Sequence, residues 1–302
     1  MTIAVAICTR DRAPILEETL AHLRAQIGES PDEVEVLLVD NGSTDATPDV
    51  AARFADWPAF RAVTEDRPGL SHARNRARLA TEADWVVYLD DDAFVWDSWL
   101  DGLREAVARP GVVLVGGPIA PRFERAPPAW FDPESVRRAF GPAGPLSDAA
   151  AREGFSGGNL GVRRDALDAV GGFDPGLGMV AGRLGLGEET ELANRLVERY
   201  GNATWHAPRM GIDHLEPAWK QRPGYVARRA FVNGRQAWRY VGGGRGRKAG
   251  FSLLKAAKQA ATGLARLPLA VVRPRALHGA LRGVATGAGA LVGVGAALRD
   301  DR

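Results

Sequence analysis

A single cysteine, Cys8, in 302 residues leaves no basis for an internal disulfide framework and suits a reducing compartment. Lysine is scarce too: only four occur, all from Lys220 onward. The opening MTIAVAICTRDR lacks a basic stretch before its apolar run and a small-residue cleavage site, so it is expected to be a first strand rather than a signal peptide. The uncharged segment Gly283 to Leu298 has sixteen residues and is glycine-rich, short of the ~20 apolar residues a spanning helix needs. The segment CTRDRAP is no glycine-rich, lysine-bearing phosphate loop, which counts against a nucleotidyltransferase. There is no internal repeat and no compact nucleic-acid-binding motif, so nucleic acid is not an expected partner.

What the chain does have is a 45% hydrophobic composition, enough for one large domain or two smaller ones. Its net charge of +2 hides an asymmetry. From Asn202 to the end there are 18 Lys+Arg against 4 Asp+Glu, whereas the preceding residues carry an acidic excess. An acidic body followed by a basic tail points to an anionic partner for the tail, with a merely solvated basic surface as the alternative.

Short apolar runs alternate with helical spacing. Strands are predicted at Ile3 to Cys8, Val34 to Val39, Phe60 to Thr64, Trp85 to Leu89 and Val112 to Val115. Helices are predicted at Ile15 to Ala25, Thr47 to Phe54, Leu70 to Ala80, Trp99 to Ala108 and about Thr190 to Arg199. Continuous apolar runs suit strands covered on both faces, and the alternation predicts an α/β, mostly parallel, doubly wound sheet. The proline- and glycine-punctuated stretch from Pro118 to about Ala150 is expected to be a long irregular insertion over the site.

Ligands of such sheets sit beyond the carboxyl ends of the strands. Three polar clusters fall there: Thr9-Arg10-Asp11-Arg12, Asp40-Asn41-Gly42-Ser43, and the carboxylates that end WVVYLDDDAFVW, Asp90, Asp91 and Asp92. Like charges so close repel, and a hard oxygen-only ligand set suits Mg²⁺ or Mn²⁺. Helix capping is the alternative, but Asp97 stands separately before its helix as a capping candidate. Asp40-Asn41-Gly42 also reads as a turn, with Ser43 or Thr44 capping the next helix, and Arg74 as an exposed helix arginine.

The stretches ICTRDR, VLLVDNGSTD, GLSHARN and YLDDDA, followed by FSGGNLGVRRDALDAVGGFDPGLG and GLGEETELANRL, together resemble family 2 glycosyltransferases of the GT-A fold. The resemblance covers roughly residues 2 to 200 and fades towards 240. It implies a Rossmann-like GT-A domain over 1–240, with a donor half to about 117 and an acceptor half from about 118, and a basic, Ala/Gly-rich helical tail over 241–302. It implies a nucleotide-diphosphate sugar donor bound by Thr9, Arg12, Asp40, Arg74, Asp90 and Asp91. Asp92 would be the leading metal ligand, with Asp90 and His214 beside it. Gly158 and Asn159, after Gly157, would line the acceptor side. Glu189 would be the base, with Glu188 second, although the family usually carries Asp at that position. The reaction implied is inverting transfer to a hydroxyl of a glycan, lipid-linked or small-molecule acceptor, in the cytoplasm. A catalytically dead relative stays open because of the Asp-to-Glu departure.

The tail begins with PGYVARRAFVNGRQAWRYV, where Arg222, Arg228, Arg229, Arg235 and Arg239 interleave with aromatics. Some of these arginines would meet the donor diphosphate, and the rest would face anionic lipid. Basic, amphipathic segments from Phe251 to Val272 predict peripheral attachment to the inner membrane face. A helical cap packed on the catalytic domain is the competing expectation.

Overall fold

A computed structural model describes residues 1–28, 33–237 and 245–297, with backbone alone over 245–252 and at 297. Trp238, Arg239, Leu298 and the expected boundary at 240 lie outside the described residues.

The first half alternates as the spacing predicts: β1 (Ile3–Thr9), α1 (Ala13–Ile27), β2 (Val34–Asp40), α2 (Thr47–Arg53), β3 (Phe60–Thr64), α3 (Leu70–Leu79) and β4 (Trp85–Asp90). There follow β5 (Ala93–Val95), α4 (Trp99–Val107), β6 (Leu114–Gly116), β7 (Ile119–Phe123), α5 (Asp148–Glu153), β8 (Asn159–Arg163) and α6 (Arg164–Ala169). The chain continues through α7 (Glu188–Tyr200), β9 (Thr204–His206), β10 (Ile212–Glu216), α8 (Pro223–Gln236), α9 (Arg245–Arg266) and α10 (Arg275–Ala297).

Seven strands form one sheet in the order β3-β2-β1-β4-β8-β6-β9. The first four are parallel; β8 runs antiparallel to both β4 and β6, and β9 is parallel to β6. Alternate residues feed two cores. Ile3, Val5 and Ile7 of β1 pack with Leu16 and Leu20 of α1, Val50 of α2 and Trp99 of α4. Ala6, with Val86 and Tyr88 of β4, packs on the other face with Ala73 of α3, Leu167 of α6 and Leu192 of α7. Both faces are therefore apolar, which is why β1, β2 and β4 read as unbroken apolar runs. At roughly 1.5–3 kcal/mol for each fully buried Leu or Ile, these two layers hold the first unit together.

The stretch from Pro118 to Ala150 is not one irregular loop. It contains β7, a 3₁₀ turn at Pro133–Ser135 and the start of α5, and it is tied down by bridges between Ile119 and Arg138 and between Gly144 and His206. Its prolines misled the reading because they occupy positions that need no amide donor. Pro121 lies in β7, the edge of a second sheet ordered β5-β10-β7, and Pro133 opens the 3₁₀ turn. Asp97 does not cap α4: Ser98 takes that position, and the Asp97 carboxylate accepts from Gln26.

The chain divides into two compact units. One comprises Met1–Ala120, Arg138–Gly182 and Glu188–His214, and the other Pro121–Arg137, Arg183–Gly187 and Leu215–Arg302. The second unit thus takes in α8, which the sequence groups with the preceding domain. In that unit α10 packs against both α8 and α9. The approach is close enough that a Cβ on Gly234 would overlap Thr286 O, and one on Gly289 would overlap Phe231 O. The tail's glycine content serves backbone-to-backbone contact between helices. The segment 121–137 joins the same unit. Phe131 stacks on His278 of α10 at 4.8 Å between ring centroids, and Asp132 N–H donates to His278 Nδ1 at 2.8 Å.

Candidate functional site

The carboxylate triplet sits where β4 ends. β4 pairs in register with β1, so Asp90 lies beside Cys8, and β1 pairs with β2, so Thr9 lies beside Asp40. The three polar clusters thus share one rim. Thr9 Oγ1 donates to Asp91 Oδ2 at 2.6 Å, and Thr19, buried in α1, donates to the Asp91 carbonyl at 2.9 Å. Arg12 binds two members of the triplet, Asp91 Oδ1 at 3.2 Å and Asp92 Oδ2. Burial, reinforced by Asp92 and only partly opposed by Arg12, pushes the Asp91 carboxyl up to about 7. Asp90 goes the other way: burial raises it, but His214 and Arg74 outweigh burial and hold it below the ordinary carboxylate value.

His214 reaches the triplet through β-pairing. β10 runs antiparallel to β5, with Ile212 opposite Val95, Asp213 opposite Phe94 and His214 opposite Ala93, one residue past Asp92. That register puts His214 Nε2 3.1 Å from Asp92 Oδ1 and 3.7 Å from Asp90 Oδ2. Trp96 fixes the pairing by donating its Nε1–H to Asp213 Oδ1 at 3.1 Å. Asp90, Asp92 and His214 each offer one ligand atom, and these atoms lie within 4.8 Å of one another. Two hard carboxylate oxygens and one imidazole nitrogen are a donor set that suits Mg²⁺ or Mn²⁺, and the 3.1 Å between His214 and Asp92 is the spacing of neighbouring ligands at metal–ligand distances of roughly 2 Å.

Arg74 is no exposed helix arginine. It is 3% exposed, and its guanidinium faces the ring of Phe173 at 5.3 Å. Its Nη1 binds Glu188 Oε1 at 2.8 Å and its Nη2 lies 3.6 Å from Asp90 Oδ1. The helix α7 starts at Glu188, two residues earlier than predicted. Arg74 therefore links the end of β4 to the first turn of α7. Next to that pair, Glu189 is half-buried and its Oε2 is shielded without a hydrogen-bond partner. Burial first, and then the neighbouring Glu188, push the Glu189 carboxyl up to about 8. That is the range in which a carboxylate serves as a proton acceptor near neutral pH.

Other expectations meet a different arrangement. A Cβ on Gly158 would overlap the Asp90 carboxylate, so glycine is required there for close approach to the triplet. Asn159 is 1% exposed, and both ends of its amide are used internally: Oδ1 accepts from Trp99 Nε1 at 3.0 Å, and Nδ2 donates to Met210 O at 2.7 Å. It holds β8 to α4 and to the chain before β10, and does not present its amide to a ligand. Asp40 Oδ1 accepts from Ser43 N at 2.9 Å, so the residue shapes its own turn, and neither Ser43 nor Thr44 caps α2.

Two residues of the rim clusters, Asn41 and Asp11, take roles that the sequence does not assign. Asn41 clamps the chain between β3 and α3, accepting from Gly69 N and donating to Glu65 O and Arg67 O, all at 2.8 Å. Asp11, with φ of 52°, accepts from Thr44 N at 2.6 Å and ties the β1 loop to the β2 loop. An Asn directly after a strand-end Asp is a turn signal in sequence; its use across loops is visible only in three dimensions.

Residues 4–171 match the family model described as Glycosyl transferase family 2. The chain is 31% identical over 232 residues to N-acetylglucosaminyl-diphospho-decaprenol L-rhamnosyltransferase of Mycobacterium tuberculosis, covering 67% of this chain and 71% of that protein. It is 23% identical over 244 residues to glucosyl-dolichyl phosphate glucuronosyltransferase of Haloferax volcanii, covering 78% and 75% respectively. The fold matches a mannosyltransferase from Pyrobaculum calidifontis, solved with GDP-Man and Mn²⁺, with a TM-score of 0.65 and 22% identity over 99% of this chain and 88% of that one. It also matches residues 1–349 of S. aureus TarS with UDP-GlcNAc, with a TM-score of 0.58 and 14% identity over 100% and 93%.

Proposed function

Because the chain belongs to glycosyl transferase family 2 and is a glycosyltransferase acting on a nucleotide-sugar donor, we propose that it works with Mg²⁺ or Mn²⁺ held by Asp92, Asp90 and His214, and that it inverts the anomeric centre. The convergence of those three side chains at the end of β4 carries the reading. The bound ion would neutralise charge on the donor diphosphate as it leaves.

The remaining chemistry belongs to the chain's own groups. Arg12, paired with Asp91 and Asp92, offsets the triplet's charge and fixes the two carboxylates. Thr9 and Asp40 flank the nucleotide position at the same rim. Arg74 holds Glu188 and leaves Glu189 as the carboxylate without a cationic partner of its own in hydrogen-bond contact. The Glu189 carboxylate takes the proton of the acceptor hydroxyl as the hydroxyl oxygen bonds to the anomeric carbon and the bond from that carbon to the phosphate oxygen breaks. Glu is one methylene longer than Asp, and the raised affinity of Glu189 for a proton suits that step.

The acceptor is a lipid-linked glycan, as the names of the Mycobacterium and Haloferax relatives support. The enzyme works at the cytoplasmic face of a membrane, where its basic second unit meets anionic lipid. Calorimetric titration of UDP, GDP, dTDP and CMP with their sugars, in Mn²⁺ and then in EDTA, tests the donor reading. Binding of one nucleotide that is lost in EDTA supports it, and no binding under either condition overturns it.

A further inference from the structure

The helical part of the second unit collects positive charge with few acids to offset it. From Arg245 to Ala297 the chain carries nine Lys+Arg and no Asp or Glu. Helix α10 packs against α8 and α9, and Arg229 of α8 and Arg266 at the end of α9 both lie near enough to Arg282 of α10 for their charges to act on it. Arg266 lies across α10, since a Cβ on Gly279 would overlap its Nη1. Partial burial, together with the charges of Arg229 and Arg266, pushes the Arg282 guanidinium below its ordinary value, against a modest pull from Asp132. The Arg282 charge also reaches His278, one turn away, which burial and that charge hold down at about 4. Among the described residues, none of Arg229, Arg266 or Arg282 has a carboxylate within ion-pair distance.

The same unit gathers the molecule's exposed apolar side chains. Of fourteen large hydrophobic residues exposed among the described ones, ten lie from Leu253 onward. Leu264 lies in the last turn of α9, and four belong to the connection between α9 and α10: Leu267, Leu269, Val271 at 88% exposure and Val272 at 75%. This turn follows Arg266 directly and is closed by Arg273 and Arg275. An apolar tip flanked by Arg266, Arg273 and Arg275, in a stretch from Arg245 to Ala297 that carries no acid of its own, matches an interface that is anionic at its surface and apolar just below it. A soluble protein partner would supply carboxylates to the arginines but would leave the tip's chemistry unexplained.

We propose that Arg229, Arg266 and Arg282 form a phosphate-binding site for an anionic phospholipid headgroup, and that the Leu267–Val272 turn enters the lipid beneath it. The arginines supply forked donors suited to phosphate oxygens, and the turn supplies the apolar area. Helix α10 is long and apolar enough to cross a membrane by length and composition. Its glycine-mediated packing on both α8 and α9 instead assigns it to the support of this surface. The inference deepens the membrane-surface reading above and is independent of the donor site.

The test is flotation of the full-length protein with vesicles of phosphatidylcholine alone and of phosphatidylcholine with phosphatidylglycerol at three to one. Binding is expected only to the mixed vesicles and should fall with added salt. R266Q/R282Q is expected to weaken it roughly 25-fold, at about five-fold per arginine near an anionic surface. V271S/V272S, at exposed positions where folding is not at stake, is expected to weaken it to both salt-resistant and salt-sensitive measures. Each variant should keep wild-type nucleotide calorimetry, and its loss in R266Q/R282Q would assign these arginines to the donor and overturn the proposal; absence of donor binding in the wild type would instead mark a failure of the donor reading and leave this one standing. Equal binding to both vesicle types, variants that bind like wild type, retention after alkaline carbonate washing, or self-association that buries Val271 and Val272 would each overturn the proposal. So would saturable binding of inorganic phosphate by the arginines in a protein that ignores vesicles.

Discussion

The strand-end rim and the helical second unit treat charge in opposite ways. At the rim three carboxylates crowd into consecutive positions, yet each meets a counter-group: Arg12 on Asp91 and Asp92, Arg74 and His214 on Asp90, His214 on Asp92. In the second unit Arg229, Arg266 and Arg282 approach one another with only Asp132 nearby. The rim is a charge system largely compensated within the protein, and on the proposed reading a single cation completes it. The other surface has fewer counter-groups of its own, and the proposed completion there is by anions from outside. The comparison teaches that clustered charge locates a site, while the degree of internal compensation tells what kind of partner completes it.

The strongest way to break the rim half of the comparison is to remove its proton acceptor. Glu189→Gln is expected to lower kcat by roughly 10²- to 10⁴-fold while nucleotide calorimetry stays at wild-type strength. In the wild type, kcat/KM should rise with pH through about 8, because Glu189 must lose its proton before it can accept one. Unchanged kcat in the variant would move the base elsewhere.

Next in size is the loss of internal compensation. Arg74→Ala strands Glu188 and crowds Asp90, and is expected to destabilise the protein by about 3–5 kcal/mol in urea unfolding. If Arg74 were a surface arginine, the change would be near zero. In the second unit the corresponding break is steric: Gly289→Leu drives a side chain into Phe231 and should cost about 1–3 kcal/mol with donor binding intact.

A smaller effect sharpens the comparison by pH. His278 is neutral in the folded protein, with its affinity for a proton lowered to about 4 from the ordinary 6.5. Its contribution is therefore fully present above pH 6.5 and is lost as the pH falls from 6.5 towards 4. His278→Gln should flatten the stability profile in that window, measured by urea unfolding at a series of pH values.

Much of the rim was legible in sequence because short-range signals and long-range placement agree there. The apolar runs of β1, β2 and β4 fixed which residues end strands, and one physical rule then put Thr9, Asp40 and Asp90 together. Arg74 was legible as a participant, but its burial beneath Gly157 and Phe173 depends on chain a hundred residues away. Asn159 was misplaced because the sequence shows only that it follows two glycines; its amide is consumed by Trp99 and Met210, contacts with no local signature. The ordered part of 118–150 was missed because an edge strand tolerates the proline that a central strand would reject, and the antiparallel direction of β8, a central strand, has no local signature in NLGVR. In the second unit composition announced the charge, whereas the glycine contacts between α8, α9 and α10 became apparent only once the helices were assembled.

The central claim is that Asp90, Asp92 and His214 form one divalent-cation site. Titrating Mn²⁺ into the protein without nucleotide, and following the loss of the free-ion electron paramagnetic resonance signal, tests it most directly. The account predicts one stoichiometric site in the wild type, a site at least roughly tenfold weaker in His214→Ala, and none in Asp92→Ala, with urea unfolding confirming that both variants fold. Equal Mn²⁺ binding by the wild type and both variants would contradict it.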